Sequence, residues 1–335
     1  MNSKRHLIFG AGLIGNYLAG CFLSKGRDVT LLGRVSMQHK LHKGLIITDL
    51  NGHKVELDTP KFILESTTLF DIVWLTIKGT ATADAITDLK KVVGPETIIV
   101  CCQNGLGSDE PIRAAFPDNT ILTAVFGPNV ALIENDDGSL HFNRATEGKF
   151  VVESHPILDP ILSDLDSPLL PIHSSNDIAS EQWAKLQLNL ANAVNALADV
   201  PIKTMVETEG YRKIIVALMR ELLRVTDAMN IDLPKVAAVP GHWIPRMMNL
   251  PNWLFLRVAQ KMLAIDPSAK ASMYWDLYAG RKTEIEYLNG ALVRQAEKLG
   301  IDCPVNTKLV ELVHHVEKKQ ASIGISAEEL QFKLT

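Results

Sequence analysis

Short apolar runs recur through the first half of the chain, each closed by glycine, asparagine or a polar pair. Lys4 to Gly10 (KRHLIFG), Asp28 to Gly33 (DVTLLG), Asp71 to Ile77 (DIVWLTI) and Thr97 to Cys102 (TIIVCC) have the continuous apolar character of buried parallel strands. Leu13, Ile14, Tyr17, Leu18, Cys21 and Phe22 fall at helical intervals between the first two, and Gly26 closes that helix. A helical stretch follows near Met37 to Lys43. Leu45 to Thr48 and Lys54 to Leu57 read as two short strands joined by an Asn51-Gly52 hairpin turn. A helix is predicted from about Thr82 to Lys91, and Gly94-Pro95 is read as a break. Thr120 to Val130, residues near Leu140, and Phe150 to Glu153 supply further strands. Strand and helix alternate over residues 1 to about 170, which predicts a doubly wound parallel sheet.

The pattern changes after Pro171. Asp177 to Ala198 places Ile178, Trp183, Leu186, Leu190 and Leu197 broadly on one helical face, and Val206 to Met229 reads as a second long helix. Pro234, Pro240, Pro245 and Pro251 divide the next part into short pieces. Trp253 to Ala264, Ala271 to Ala279 and Glu284 to Leu299 read as helices. Gly300 stops the last of these, and Pro304 starts one to about Lys319. The expected organisation is a sheet domain over 1–174, an all-helical domain over 175–320, and a loosely attached tail over 321–335.

A chain of 335 residues with 47% apolar and 21% charged positions can bury two ordinary globular cores. A net charge of −4 without a long basic run argues against nucleic acid or an anionic membrane as a partner. No stretch is apolar over the roughly 18 residues that a membrane-spanning helix needs. Cys21, Cys101, Cys102 and Cys303 show no C-x-x-C spacing and suggest no metal site, so free thiols in a reducing cytoplasm are expected. Lys4 and Arg5 ahead of an apolar run ending Leu18-Ala19-Gly20-Cys21 have the parts of a lipoprotein signal. Asn16 and Tyr17 interrupt that run, and cleavage would remove the first strand, so secretion is not expected.

Gly10-Ala11-Gly12-Leu13-Ile14-Gly15 has the G-x-G-x-x-G spacing, set between a strand and a helix as in a Rossmann-type fold. Gly10 allows the tight turn, Gly12 lets backbone N–H groups approach a pyrophosphate, and Gly15 lets helix and strand pack closely. The helix N-terminus favours the phosphate charge. The second strand ends Leu31-Leu32-Gly33-Arg34, with no acid to hold a ribose 2′-hydroxyl. Arg34 offers a planar charged fork to a 2′-phosphate, which points to NADP(H) rather than NAD. Lys78 and Asn104 follow two further strands, and ligands of open parallel sheets sit beyond such carboxyl ends.

The helical half has its own polar constellation. Lys185 and Asn189 are four apart and share a face, and Asn192 and Asn195 continue a polar stripe. Buried, Lys185 becomes a usable proton donor near neutral pH. Equally, it is a lysine whose stem covers apolar surface while its head reaches water. Ser272 is open to reading as an exposed hydroxyl, Thr283-Glu284 as helix-start chemistry, and Asp276 with Arg281 as a surface ion pair.

Taken together, these pieces resemble the ketopantoate reductase (2-dehydropantoate 2-reductase) family over about residues 5–318. The specific parts are Gln103-Asn104-Gly105, Lys185-Leu186-x-x-Asn189, Ser272-Met273-x-x-Asp276, Arg281-x-Thr283-Glu284-Ile285 and Asn289-Gly290. The resemblance implies reduction of ketopantoate to pantoate with NADPH, on the route to pantothenate and coenzyme A. It implies cofactor contacts from Gly10 to Gly15, Arg34, Lys78, Asn104, the backbone around Val130, and Glu284. Lys185 would be the general acid and Glu284 the second catalytic residue, an acid that orients the site at the cofactor end, with Asn104, Asn189 and Ser272 as substrate ligands. The family's second asparagine, four residues after the first, is Ala193 here, with Asn192 and Asn195 as its replacements. Trp275 stands where the family often has a smaller polar residue. These two departures keep open a related reductase of another 2-oxo acid or ketone, and a non-catalytic NADP(H) sensor is the third reading. The long apolar helices allow a homodimer or a monomer.

Overall fold

The apolar runs of the first half pair into one mainly parallel sheet. The computed structural model describes residues 4–235, 239–260 and 266–334. The strands are β1 (Arg5–Phe9), β2 (Asp28–Leu32), β3 (Leu45–Thr48), β4 (Lys54–Leu57), β5 (Lys61–Ile63), β6 (Phe70–Leu75), β7 (Val93–Cys101), β8 (Ile121–Phe126), β9 (Val130–Glu134), β10 (Leu140–Arg144), β11 (Phe150–Glu153) and β12 (Ile172–Ser175). Eight form a sheet in the order β12-β11-β8-β7-β6-β1-β2-β5, in which only the β8–β11 pairing is antiparallel. The predicted Rossmann-type sheet is therefore present, with helices on both faces.

Residue alternation sorts those faces. Ile8, Ile72, Trp74, Ile98 and Val100 join one core with helix α1 (Leu13–Ser24). Leu7, Phe9, Val73, Leu75 and Ile99 join the other, with α3 (Thr82–Val92) and α4 (Glu110–Ala115). The short α2 (Val35–Lys40) follows β2, and α5 (Asp159–Leu165) precedes β12. One feature was not expected. The hairpin strands β3 and β4 join β9 and β10 in a second sheet, order β4-β3-β10-β9. It packs on α1, so α1 is covered by both sheets and is buried without interruption from Gly15 to Phe22. That all-round burial explains why this helix has no polar face.

Gly94-Pro95 does not break the chain. β7 begins at Val93 directly after α3, and the glycine and proline occupy an irregular stretch between the Phe70–Val93 and Ile72–Ile98 pairs. A proline is tolerated there because regular ladder bonding has not yet begun.

The second half folds as α6 (Ile178–Asn189), α7 (Ala191–Ala198), α8 (Ile202–Glu207), α9 (Glu209–Ala228), α10 (Ile244–Met248), α11 (Asn252–Val258), α12 (Ser272–Tyr278), α13 (Asn289–Leu299), α14 (Pro304–Glu317) and α15 (Ala327–Leu334). Two predicted helices are each divided, at Leu190 and at Thr208. The helix expected from Glu284 begins only at Asn289, after a 3-10 turn at Ile285–Tyr287. The helix expected from Trp253 is described to Val258, and its predicted end over 261–264 lies outside the described residues.

The chain divides into two compact units, residues 1–104 with 108–178, and residues 105–107 with 179–335. The expected division after residue 174 falls inside β12, whose polar sequence IHSS carries no apolar signal. The tail over 321–335 is not loosely attached. Gly324 and Ile325 donate backbone bonds to Leu197 O, Tyr211 Oη donates to Ile325 O, and α15 buries Ala327, Leu330 and Leu334. Those apolar positions sit on one face of a short helix, and they join the helical core.

That core holds one buried carboxylate bridge. Glu221 of α9 is 3% exposed and accepts the N–H groups of Val305 and Asn306 and the Asn306 Nδ2 amide. It caps the first turn of α14, where anionic groups are favoured. Asn306 in turn accepts from Asn289 Nδ2 at 2.9 Å, which gives Asn289 a structural place between α13 and α14. Glu221→Ala takes the acceptor from the Val305 and Asn306 N–H groups and leaves the Asn306 amide only Leu218 O, at 3.3 Å. It is expected to cost about 3 kcal/mol, read as a lower urea midpoint at unchanged slope.

Candidate functional site

In the sheet unit, four strand ends stand in register. Phe9 pairs with Leu32 and with Leu75, and Leu75 pairs with Cys101. The residues after them are Gly10, Gly33-Arg34, Thr76 to Lys78, and Cys102 to Asn104, so all four candidate segments emerge along one edge. Arg34 and Lys78 are exposed there, and Asn104 is half-buried.

The glycine turn is built as its spacing predicted. Gly10 has φ +121°, and a Cβ on it would lie 2.8 Å from Ile77 N. A Cβ on Gly15 would lie 2.0 Å from Gly10 O, so helix and turn touch there. At Gly12 the opposite holds, since a Cβ would meet nothing within 4 Å. Gly12 is also the N-cap of α1, and no side chain caps that end. The turn thus offers open space and a bare helix N-terminus in one place, which fits a pyrophosphate. Ala11 and Ile14 are half-buried beside it, and Leu13 is exposed.

Three residues outside the expected cofactor contacts shape this turn. Thr76 Oγ1 donates to Gly10 O at 2.7 Å. Buried Asn16 donates to Ala11 O and Gly12 O at 2.9 and 2.8 Å. Gly33 packs so closely that a Cβ would lie 2.6 Å from Ala11 Cβ, which sets where Arg34 begins. Gln103 ties the last loop to α3 by donating to Thr82 Oγ1 at 2.8 Å. For Asn16 the available signal was its place directly after the glycine motif. Val130 follows the carboxyl end of β8, which runs parallel to β7; it opens β9 in the second sheet and packs partly on the core around α1.

In the helical unit, Lys185, Asn189 and Asn192 are half-buried and succeed one another on α6 and α7 at spacings of four and three. Burial alone pulls the Lys185 ammonium down from 10.5 to about 8. Leu190 keeps right-handed helical dihedrals and donates back to Leu186 O, so helical spacing carries the polar row on to Asn192 while Ala193, off that row, is fully buried. Asn195 is a correction. It is 1% exposed, donates to Val200 O at 2.8 Å and accepts Ala271 N–H at 2.8 Å. Its amide is consumed in fixing the end of α7 to the start of α12, which leaves it no role as a substrate ligand.

That clamp places Ser272, exposed at the first position of α12, beside α7. Trp275, one turn on and 52% exposed, shares the Ser272 face. Asp276 is buried rather than a surface group, and accepts from exposed Arg281 Nε at 3.1 Å. Glu284 is nearly buried in the turn ahead of α13, where Thr283 Oγ1 accepts the Ile285 N–H. Gly105 has φ +84° and a Cβ on it would lie 2.0 Å from Tyr287 O, which also accepts Leu106 N–H. Gly105 and Leu106 therefore pack on the segment that carries Glu284.

Comparison with known proteins decides the family. The profile of ketopantoate reductase PanE/ApbA matches residues 6–156, and that of the PanE/ApbA C-terminal domain matches residues 177–317. The chain belongs to the ketopantoate reductase family. The 2-dehydropantoate 2-reductase of Archaeoglobus fulgidus is 25% identical over 323 residues, covering 95% of this chain and 99% of that protein. The crystal structure of a PanE/ApbA family ketopantoate reductase from Ralstonia eutropha JMP134 aligns at TM-score 0.76 with 25% identity, over 94% of this chain and 99% of that one. A ternary structure of D-mandelate dehydrogenase with NADH and anilino(oxo)acetate aligns at TM-score 0.74 with 22% identity, over 94% and 99%, and shows the shared fold. The ketopantoate reductase family is one of pyridine-nucleotide-dependent oxidoreductases acting on small molecules. Among the described residues no helix is long and apolar enough to cross a membrane, and no group of three metal-ligating side chains is present.

Proposed function

We propose that this protein reduces ketopantoate to pantoate with NADPH, in the cytoplasm, on the route to pantothenate and coenzyme A. The observation that carries the reading is the half-buried Lys185 with its pKa near 8, in one row with Asn189 and Asn192. When bound, the reduced nicotinamide supplies a hydride to C2 of the substrate. Negative charge then grows on the carbonyl oxygen, and the Lys185 ammonium stabilises it and donates the proton. Asn189, Asn192 and Ser272 supply neutral donors for the substrate carboxylate and hydroxyl. Asn104 serves substrate and cofactor, and Glu284 orients the cofactor end as an acceptor. In the sheet unit Gly10 to Gly15 receive the pyrophosphate, and Arg34 and Lys78 supply positive charge.

Arg34 carries the choice of NADPH. A guanidinium–phosphate contact is worth about 1.5–3 kcal/mol, so Arg34→Ala is expected to reduce the NADPH-over-NADH preference in kcat/KM by about 10–100-fold. The measurement is kcat/KM for both cofactors at fixed salt with ketopantoate. An unchanged ratio would remove Arg34 from the site and the NADPH assignment with it.

A second reading rests on Trp275. Its exposed indole on the Ser272 face suits a 2-oxo acid with a bulkier apolar group than ketopantoate carries. A panel of 2-oxo acids ranked by kcat/KM separates the two. Ketopantoate at the head supports the first reading, and an aryl or long-chain 2-oxo acid at the head supports the second.

A further inference from the structure

The segment that carries Glu284 is held from both sides by one histidine. His314, near the end of α14, places Nε2 2.8 Å from Glu286 Oε1 and Nδ1 3.0 Å from Glu317 Oε2. Glu317 reaches back with its other oxygen, which accepts the Thr283 N–H at 2.8 Å. Glu286 is held in addition by Arg294 of α13, which donates to its carboxylate and to its backbone oxygen. Thr283 and Glu286 bracket Glu284 in the chain. The following Tyr287 accepts the Leu106 N–H and lies against Gly105, so the same segment also holds those two residues.

Both ring nitrogens of His314 face carboxylate oxygens, and a carboxylate only accepts. Both bonds therefore exist together only when the ring carries two protons; a neutral imidazole keeps one and presents a lone pair to the other. We infer that His314 is a positioning residue for this oxidoreductase: its imidazolium clamps the 283–287 segment to α14 and so fixes Glu284, and its deprotonation releases one side of the clamp. The inference rests on the reading of Glu284 as the acid at the cofactor end.

The charged groups around the ring agree on direction. Glu286 from the 3-10 turn and Glu317 from α14 both favour the cation, Arg294 lies beyond Glu286, and the ring's partial burial works against the charge. The net effect raises the His314 pKa above its ordinary 6.5. A raised pKa means the clamp's contribution is complete below about pH 6.5 and is lost as pH rises through the folded value. Lys185, on α6, loses its proton with a pKa near 8 and in the proposed reaction acts on kcat, so the two titrations can be told apart.

The test uses the full-length protein, wild type, His314→Gln and Glu317→Gln, with two readouts. Hydrogen exchange of peptides covering 283–288 at one fixed neutral pH reads the clamp without any turnover. The dissociation constant of NADPH across about pH 6 to 9 reads its consequence. Glutamine at 314 keeps one hydrogen bond without charge, and glutamine at 317 keeps an acceptor for Thr283. Expected are several-fold faster exchange confined to 283–288 in His314→Gln, and NADPH binding that is several-fold weaker at low pH and no longer weakens as pH rises. In Glu317→Gln the wild-type pH dependence is expected to move to lower pH. The alkaline fall in kcat stays in all three. Unchanged exchange at 283–288, or acceleration spread over the whole helical unit in both variants, overturns the inference. If exchange responds as expected while NADPH affinity does not, the clamp is structural and its assignment to the cofactor end is overturned. Absence of turnover in the wild type would contradict the proposed reaction and leave the exchange result to decide the clamp.

Discussion

Lys185→Met is expected to lower kcat for ketopantoate by about 10²–10⁴ while leaving NADPH affinity within about twofold. The lysine is the one cation in the proposed row of neutral donors, and the role proposed for it is confined to the step in which charge develops on the substrate oxygen. Steady-state kinetics beside NADPH fluorescence titration gives both numbers. The pH profile adds a second signature. Proton donation requires the ammonium form, so wild-type kcat is expected to hold below about pH 8 and fall above it. Stability is expected to move the other way. The folded state binds this proton more weakly than the unfolded chain, so the charge opposes folding at every pH below about 8, and the methionine variant is no less stable there. A kcat within a few fold of wild type would return Lys185 to the role of a snorkelling side chain.

Gly12→Ala and Gly15→Ala are expected to abolish tight NADPH binding by two different routes. At Gly12 the added methyl meets no protein atom, and φ is −87°, so the fold tolerates it. It would fill the space where the backbone must approach the phosphates, and the dissociation constant is expected to rise by about 10–100-fold at an unchanged melting temperature. At Gly15 the methyl would lie 2.0 Å from Gly10 O and 2.7 Å from Thr76 Oγ1. Neither can yield without moving the turn, because Thr76 donates to that same oxygen. Here affinity and melting temperature are both expected to fall, with a stability cost of about 1–3 kcal/mol or more. Calorimetry on the free and NADPH-titrated proteins separates the cases. Wild-type affinity in Gly12→Ala would show that the open space is not the phosphate site.

The parts of this fold that the chain announces are those whose burial is complete and continuous. β1, β6 and β7 are covered on both faces, so their apolar runs are unbroken, and the glycine turn follows from sterics that allow only glycine at Gly10 and Gly15. The second sheet was not legible as a sheet. Its strands read correctly, but β3 pairs with β10 across nearly a hundred residues, and no local pattern encodes that partner. The tail was misread because α15 is short and polar overall, and only its position against Leu197 and Tyr211 reveals its burial.

The site divides along the same line. Lys185 and Asn189 could be paired from helix spacing alone, whereas Asn195 could not be separated from them. Its inward fixing depends on Val200 and on Ala271, seventy-six residues away. Thr76, Asn16 and His314 were missed for a related reason. Each acts by hydrogen bonding to a segment distant or offset in sequence; Asn16 alone carries a local sign, its place directly after the glycine motif, and Thr76 and His314 carry none.

The central claim is a hydride transfer completed by Lys185, and isotope transfer tests it most directly. NADPH deuterated at the transferable C4 position, incubated with ketopantoate and the wild-type protein, is predicted to yield pantoate with one deuterium at C2, and Lys185→Met is predicted to form it at least about a hundredfold more slowly. Tight NADPH binding with no deuterated 2-hydroxy acid from ketopantoate or any other 2-oxo acid would contradict the claim and leave a protein that senses the cofactor without turning it over.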